Sequence, residues 1–225
     1  EAQQARSATV ITPRYSDEII AATESGINPY VYPNVDWYDM IFRSGNYNQR
    51  ANVNVSGGAS RVTYYMSLQA NHDTGLLNAA DNSAFNPNIN HWEYNFQNNI
   101  SYKLTNTTTV NLRMMAQIGS QKGPNNKTTD IYKKVMYANP VSFPAYFPGE
   151  ADHIYYGNAE IKAGAYGENP YQYMMGSFRE DNFNTLNTSL DISQDLGFVT
   201  KGLSAKVLVN FKNWSSSSYN RSITP

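Results

Sequence analysis

Asp36 and Asp39 flank Trp37-Tyr38, and a carboxylate pair is the machinery of glycoside hydrolysis. Two acids three residues apart on a short helix, however, read first as a cap or salt-bridge partners. His72, His91 and His153 stand apart, without the spacing of a zinc site, and read as loop or strand-end histidines. The run Ser215 to Ser218 lacks the strand–turn–helix context of a nucleophile elbow and reads as loop. Cysteine is absent, which excludes thiol catalysis, zinc fingers and disulfides. No glycine-rich phosphate loop is present. The chain therefore reads as a non-enzyme with no cofactor and no metal.

Binding is the better use of these side chains. A long polar segment supplies Phe143, Tyr146, Phe147, Tyr155, Tyr156, Tyr171 and Tyr173. Sugars and peptides both present faces to aromatic rings and edges to amides, as ligand pockets require. These seven are the ligand-binding candidates. The competing reading packs most of them within the loop itself or against a partner.

The elements that must position them are β-strands. Ala51, Val53 and Val55 alternate with Arg50, Asn52 and Asn54, the period of a half-buried strand. Beyond Gly57-Gly58, Val62, Tyr64, Met66, Leu68 and Ala70 oppose Arg61, Thr63, Tyr65, Ser67 and Gln69. A third run sets Trp92, Tyr94, Phe96, Ile100 and Tyr102 against Glu93, Asn95, Gln97, Asn99 and Ser101, with Asn98 spoiling the apolar side. The fourth sets Val110, Leu112, Met114, Ala116 and Ile118 against Asn111, Arg113 and Gln117. A weaker fifth carries Leu186, Leu190 and Ile192, and a sixth Leu203, Ala205, Val207, Val209 and Phe211. Six strands make three hairpins.

The connections alternate in length. Ser56 to Ser60, Thr105 to Thr108 and Asp195 to Gly202 are short, whereas 72–90 and 119–181 are long. Short turns on one side and long loops on the other are the habit of an outer-membrane barrel. Trp92 and Tyr102 lie about 33 Å apart along a strand, or about 25 Å along a membrane normal at about 40° tilt. That matches an apolar band with aromatics at both rims. On this reading Arg50, Asn52, Asn95 and Arg113 face the lumen.

A mean hydropathy of −0.57, with no apolar run near the roughly 18 residues of a spanning helix, excludes helical spans but not a barrel. The formal net charge of −1 shows no cationic stripe, so nucleic acid is not an expected partner. Within the 119–181 segment, Thr129 to Tyr137 reads as a helix stopped near Asn139-Pro140. If the short turns are periplasmic, both ends of this six-strand stretch point outward. Since the smallest barrels have about 8 strands, the chain is expected to be a slice of a longer one. The expected division is 1–45 as an extracellular-side loop with short helices, then 46–225 as six strands with long loops at 72–90 and 119–181.

One block supports that reading. Thr12-Pro13-Arg14-Tyr15-Ser16-Asp17-Glu18-Ile19 fits a helix start, with Ser16 as N-cap. Asn28-Pro29-Tyr30 follows, then Tyr32-Pro33-Asn34-Val35-Asp36-Trp37-Tyr38-Asp39-Met40-Ile41-Phe42, and then Asn52-Val53-Asn54-Val55-Ser56-Gly57-Gly58. This order resembles the SusC/RagA-type TonB-dependent outer-membrane transporters, in which a similar Tyr-Pro-Asn-x-Asp-Trp-Tyr stretch precedes a strand ending in Val-Ser-Gly-Gly. The resemblance implies a barrel of about 22 strands closed by a plug, in the outer membrane of a Gram-negative bacterium. It further implies a SusD-like surface lipoprotein as lid, TonB as energy coupler, and an oligosaccharide or peptide as cargo. The plug and TonB box are not expected within these residues. Two rivals stand beside it: a soluble all-β carbohydrate-binding module, and an outer-membrane enzyme or adhesin on a small barrel.

Overall fold

Period-two alternation folds as expected into a single antiparallel sheet. The computed structural model describes residues 15–79, 86–149, 154–162, 165–166 and 168–222. His153 and the stretches 1–14 and 80–85 named above lie outside them, in whole or in part. The main strands are β1 (Asn48–Ala59), β2 (Val62–Thr74), β3 (Asn90–Lys103), β4 (Thr108–Gly123), β9 (Ser177–Asp195) and β10 (Ser204–Ser222). They pair in the order β1-β2-β3-β4-β9-β10. Between β4 and β9 lie the small strands β5 (Tyr146–Phe147), β6 (Tyr155–Tyr156), β7 (Glu160–Lys162) and β8 (Ala165–Tyr166), paired two by two. Four helices complete the described residues: α1 (Asp17–Ser25), α2 (Trp37–Ile41), α3 (Thr128–Tyr137) and α4 (Pro170–Met175). No helix among the described residues is long and apolar enough to cross a membrane.

The sheet is open. Its six strands do not close on themselves, and β1 and β10 are edges whose residues are exposed along their whole length. The register sorts side chains by face. Val53, Leu68, Phe96, Ala116 and Leu186 form one cross-strand row, and Gly57, Tyr64, Ile100, Leu112, Leu190 and Val209 form another. The opposite face carries rows such as Asn52, Gln69, Asn95, Gln117 and Thr185.

Four of the strands reach well past the alternating segments that announce them. β9 begins at Ser177 and β10 runs to Ser222, so Ser215 to Ser218 is strand, not loop. The long connections shorten accordingly, to 75–89 and 124–176. Gly57-Gly58 also lies inside the ladder, opposite Tyr64 and Thr63, and the turn is only Ser60-Arg61. Gly57 leaves room there for the Tyr64 ring, since a Cβ would sit 2.6 Å from its hydroxyl and the ring would have to shift.

The buried core lies at one end of the sheet, not on a face. It joins Trp37 and Ile41 of α2, Ile131 and Val135 of α3, and Tyr171, Met174 and Met175 of α4 with Leu77 and Phe143. In α2, Asp36 is the N-cap and accepts from the Asp39 amide at 3.0 Å, which turns Trp37 and Ile41 inward. The Trp37 indole donates to the Asn139 carbonyl at 3.4 Å, and the Val35 amide to the Pro140 carbonyl at 3.0 Å. The residues before β1 are thereby clasped to the far side of α3.

Trp37→Ala removes an indole that is 3% exposed, a change that costs about 3–5 kcal/mol in a packed core. The expected result is faster hydrogen exchange and tryptic cutting at Lys127 to Lys134, with the β2–β3–β4 ladder still protected. Equal loss across the sheet would show that cap and sheet melt as one unit.

Candidate functional site

Asn169 organises the segment that carries the aromatic candidates. Asn before Pro is a strong helix-start signal, and here Asn169 caps α4, with its Oδ1 accepting from the amides of Tyr171 (2.9 Å) and Gln172 (3.2 Å). Its Nδ2 donates to the carbonyls of Ala145 (2.7 Å) and Gly157 (2.9 Å). One buried side chain thus joins α4 to both arms of the β5–β6 hairpin. Gly157 makes the hairpin possible, because a Cβ there would overlap the Pro144 carbonyl.

That frame divides the seven aromatic candidates. Phe143 is buried against Trp37, ring centroids 5.5 Å apart, and belongs to the core. Tyr171 is buried too, and Tyr146 and Tyr156 flank it at 5.4 and 6.3 Å. Burial pushes the Tyr171 phenol above the usual tyrosine range, with Tyr146 and Tyr156 adding to the effect, and burial alone does the same for Tyr156. Phe147 and Tyr155 pair across the hairpin and remain exposed, and Phe147 lies 5.8 Å from Tyr30. Tyr173 stands apart from this group, with the Lys134 ammonium 4.4 Å above its ring. Lys134 also forms an ion pair with Glu168. Burial draws this lysine below its usual range, while Asp130 acts the other way.

Arg50, Asn52, Asn95 and Arg113 share the polar face of the sheet. That face is a ladder of amides. Asn52 donates to the Ser67 hydroxyl, Gln69 to Asn71, and both Asn71 and Asn95 to one oxygen of Glu93. Arg113 sits over Asp191 of β9, on the same face of the sheet. Asp191 is fully buried and accepts from Arg113 Nη1 at 2.8 Å and Asn111 Nδ2 at 2.7 Å, with Lys206 Nζ at 3.5 Å. Beside it, Thr63, Tyr65, Asn99, Ser101 and Arg113 line a shallow depression of about 330 Å³.

The histidines do not converge. His72 stacks on Trp92 at 4.0 Å on the apolar face, whereas His91 lies beside Phe183 with its Nε2 3.9 Å from Glu93. Among the described residues no three acids or histidines are grouped to hold a metal ion. Asp36 is occupied as a helix cap. No protein-family model matches the chain, and no curated protein matches it.

Two outcomes follow from this geometry. Asn169→Ala leaves the Ala145 and Gly157 carbonyls and two amides without their partner, on the order of 3 kcal/mol lost locally. Amide exchange should show Tyr171 and Gln172 deprotected. Asn169→Asp should do no better, because it keeps the acceptor but turns a second oxygen toward those carbonyls. At the polar face, Arg113→Ala should lower the unfolding temperature by taking from the buried Asp191 carboxylate its nearest cation, leaving Asn111 and the more distant Lys206. Pairing it with Asp191→Asn should recover part of the loss, and strictly additive losses would show that the two side chains are not coupled.

Proposed function

We propose that this chain is part of the wall and extracellular rim of a TonB-dependent outer-membrane importer. It takes up oligosaccharides or peptides with a SusD-like lipoprotein as lid, and it acts by binding and passage without covalent chemistry. The observation that carries this reading is the uncovered apolar face. Val53 is 72% exposed, Val207 64%, Val209 61% and Leu68 53%, within a continuous field of apolar side chains. Five inter-strand steps by eight residues give that field roughly 600 Å² in projection. Monomers in water seldom leave more than about 300–600 Å² of apolar surface contiguous, even before relief is counted. Lipid covers such a face without needing another protein layer.

Three further features support it. Trp92 and Tyr94 stack near the loop end of the face, and Tyr102 stands near the turn end, as rim aromatics do. The other face carries hydrogen-bonding amides, suited to a wet lumen. Both edges offer unpaired backbone groups, which a bilayer does not tolerate, so further strands must complete the wall. The resemblance of residues 12 to 58 to the SusC/RagA type agrees with each of these.

The test is the native polypeptide in an outer-membrane fraction, detected with an antibody against 124–176. A band several times larger than 25.3 kDa, shifting on boiling and co-purifying with a lipoprotein, is the expected result. A water-soluble species near 25.3 kDa would overturn the proposal in favour of a carbohydrate-binding module.

A further inference from the structure

We propose that the turn between β9 and β10 is a lipid anchor. Phe198 and Val199 enter the headgroup–acyl boundary of the leaflet on the short-turn side, with Lys201 and the neighbouring cations at the phosphates. That a membrane is there rests on the importer reading; what the turn does in it rests on the turn's own residues.

The turn is closed by its own hydrogen bonds. At its neck the Leu196 amide donates to the Leu203 carbonyl at 3.0 Å. Within it, the amides of Val199 (2.8 Å) and Thr200 (3.2 Å) both donate to the Leu196 carbonyl, and the Gly197 amide donates to Asp195 Oδ1 at 2.8 Å. Gly202, at φ +85°, takes the left-handed step back into β10. The backbone is thus occupied, while Phe198 is left 76% and Val199 64% exposed. An aromatic ring and a branched aliphatic side chain held outward gain by leaving water. The other two short turns carry Ser60-Arg61 and Thr105-Asn106-Thr107 instead, the polar chemistry usual in a solvated turn.

The register puts this tip at the lower edge of the apolar face. Trp92 of β3 pairs with Ser120, Ile118 of β4 with Asn184, and Leu186 of β9 with Asn213. The top of the apolar run therefore drops one row at each strand, the slant of tilted strands against a level membrane. Ten residues below Trp92 stands Tyr102, the rim aromatic of β3. Ten below Leu186 stands Leu196, at the neck of the turn. Below Phe211, β9 and β10 bring no aromatic of their own to this face. Phe198 completes the rim there.

Charge agrees with a phospholipid. Arg61, Lys103 and Lys201 are all exposed at this end of the sheet. The three turns stand in a row, the Lys103 amide donating to the Arg61 carbonyl and the Asp195 amide to the Thr107 carbonyl, both at 2.7 Å. Asp195 is the one acid in or beside them, and it is held by Gly197. Cations beside an apolar tip suit phosphates lying over acyl chains. Through Leu196 and Leu203 the tip also continues the face that lipid covers, which favours a leaflet over a separate protein as its partner.

The test places the full-length protein in vesicles of phosphatidylethanolamine and phosphatidylglycerol. Nitroxide labels are introduced singly through Phe198→Cys, Val207→Cys and Asn106→Cys, in a stretch with no Cys of its own. The readout is the ratio of relaxation by oxygen, which dissolves in lipid, to relaxation by a nickel chelate, which stays in water. The ratio should be high at Val207 and low at Asn106, and at Phe198 several-fold above Asn106. Lys201→Glu should lower the Phe198 ratio in these vesicles and not in phosphatidylcholine alone. A Phe198 ratio no higher than that of Asn106, with Val207 still high, would overturn the anchor and leave the importer reading standing. Low ratios at all three positions would sink that reading as well. A Phe198 label shielded from both reagents would mean that protein covers the turn, and would overturn the anchor. Lys201→Glu without effect in either lipid would overturn the phosphate contact.

Discussion

Five antiparallel ladders of backbone hydrogen bonds hold this molecule together, and among the described residues no helix or second sheet is laid across either face of them. In an ordinary domain a sheet is fixed by what lies on its face. Here the strands are fixed by their neighbours, and their side chains are left to two different surroundings. The apolar rows through Leu68 and Ile100 need one environment, and the amide rows through Asn52 and Asn95 need another. The buried apolar core is displaced to the loop end, where α2, α3 and α4 pack together.

That displacement explains what could be read from the residues alone. Within the apolar band the strands alternate, with breaks at Asn98 and Met115, so Val62 to Ala70 and Val110 to Ile118 are visible as strands. Above the band both faces are polar, and the alternation disappears although the pairing continues. Ser215 to Ser218 therefore looks like loop, yet it pairs with Asp181 to Asn184 in unbroken register. Gly57-Gly58 misleads differently. Glycine is read as turn chemistry, but here it makes room for the Tyr64 ring.

The candidate site was legible in part for similar reasons. Aromatics in a Gly- and Pro-rich segment announce a folded loop, but not which rings turn inward. Phe143 and Tyr171 are core, whereas Phe147 and Tyr155 are surface. Asn169 could have been found from Asn169-Pro170, a cap signal in plain sight. Asp191 could not, because a carboxylate on the polar side of a strand looks the same whether water or Arg113 receives it. Ser177 carries no sequence mark at all; its burial exists only in three dimensions.

The junction at Gly176 has a mechanical meaning. α4 ends at Met175 and β9 begins at Ser177, so a single residue separates the loop core from the longest pair of strands. Asn169 fastens the hairpin to α4 on one side, and Trp37 fastens the residues before β1 on the other. A shift of the β5–β6 hairpin is therefore handed to β9 across the single residue Gly176.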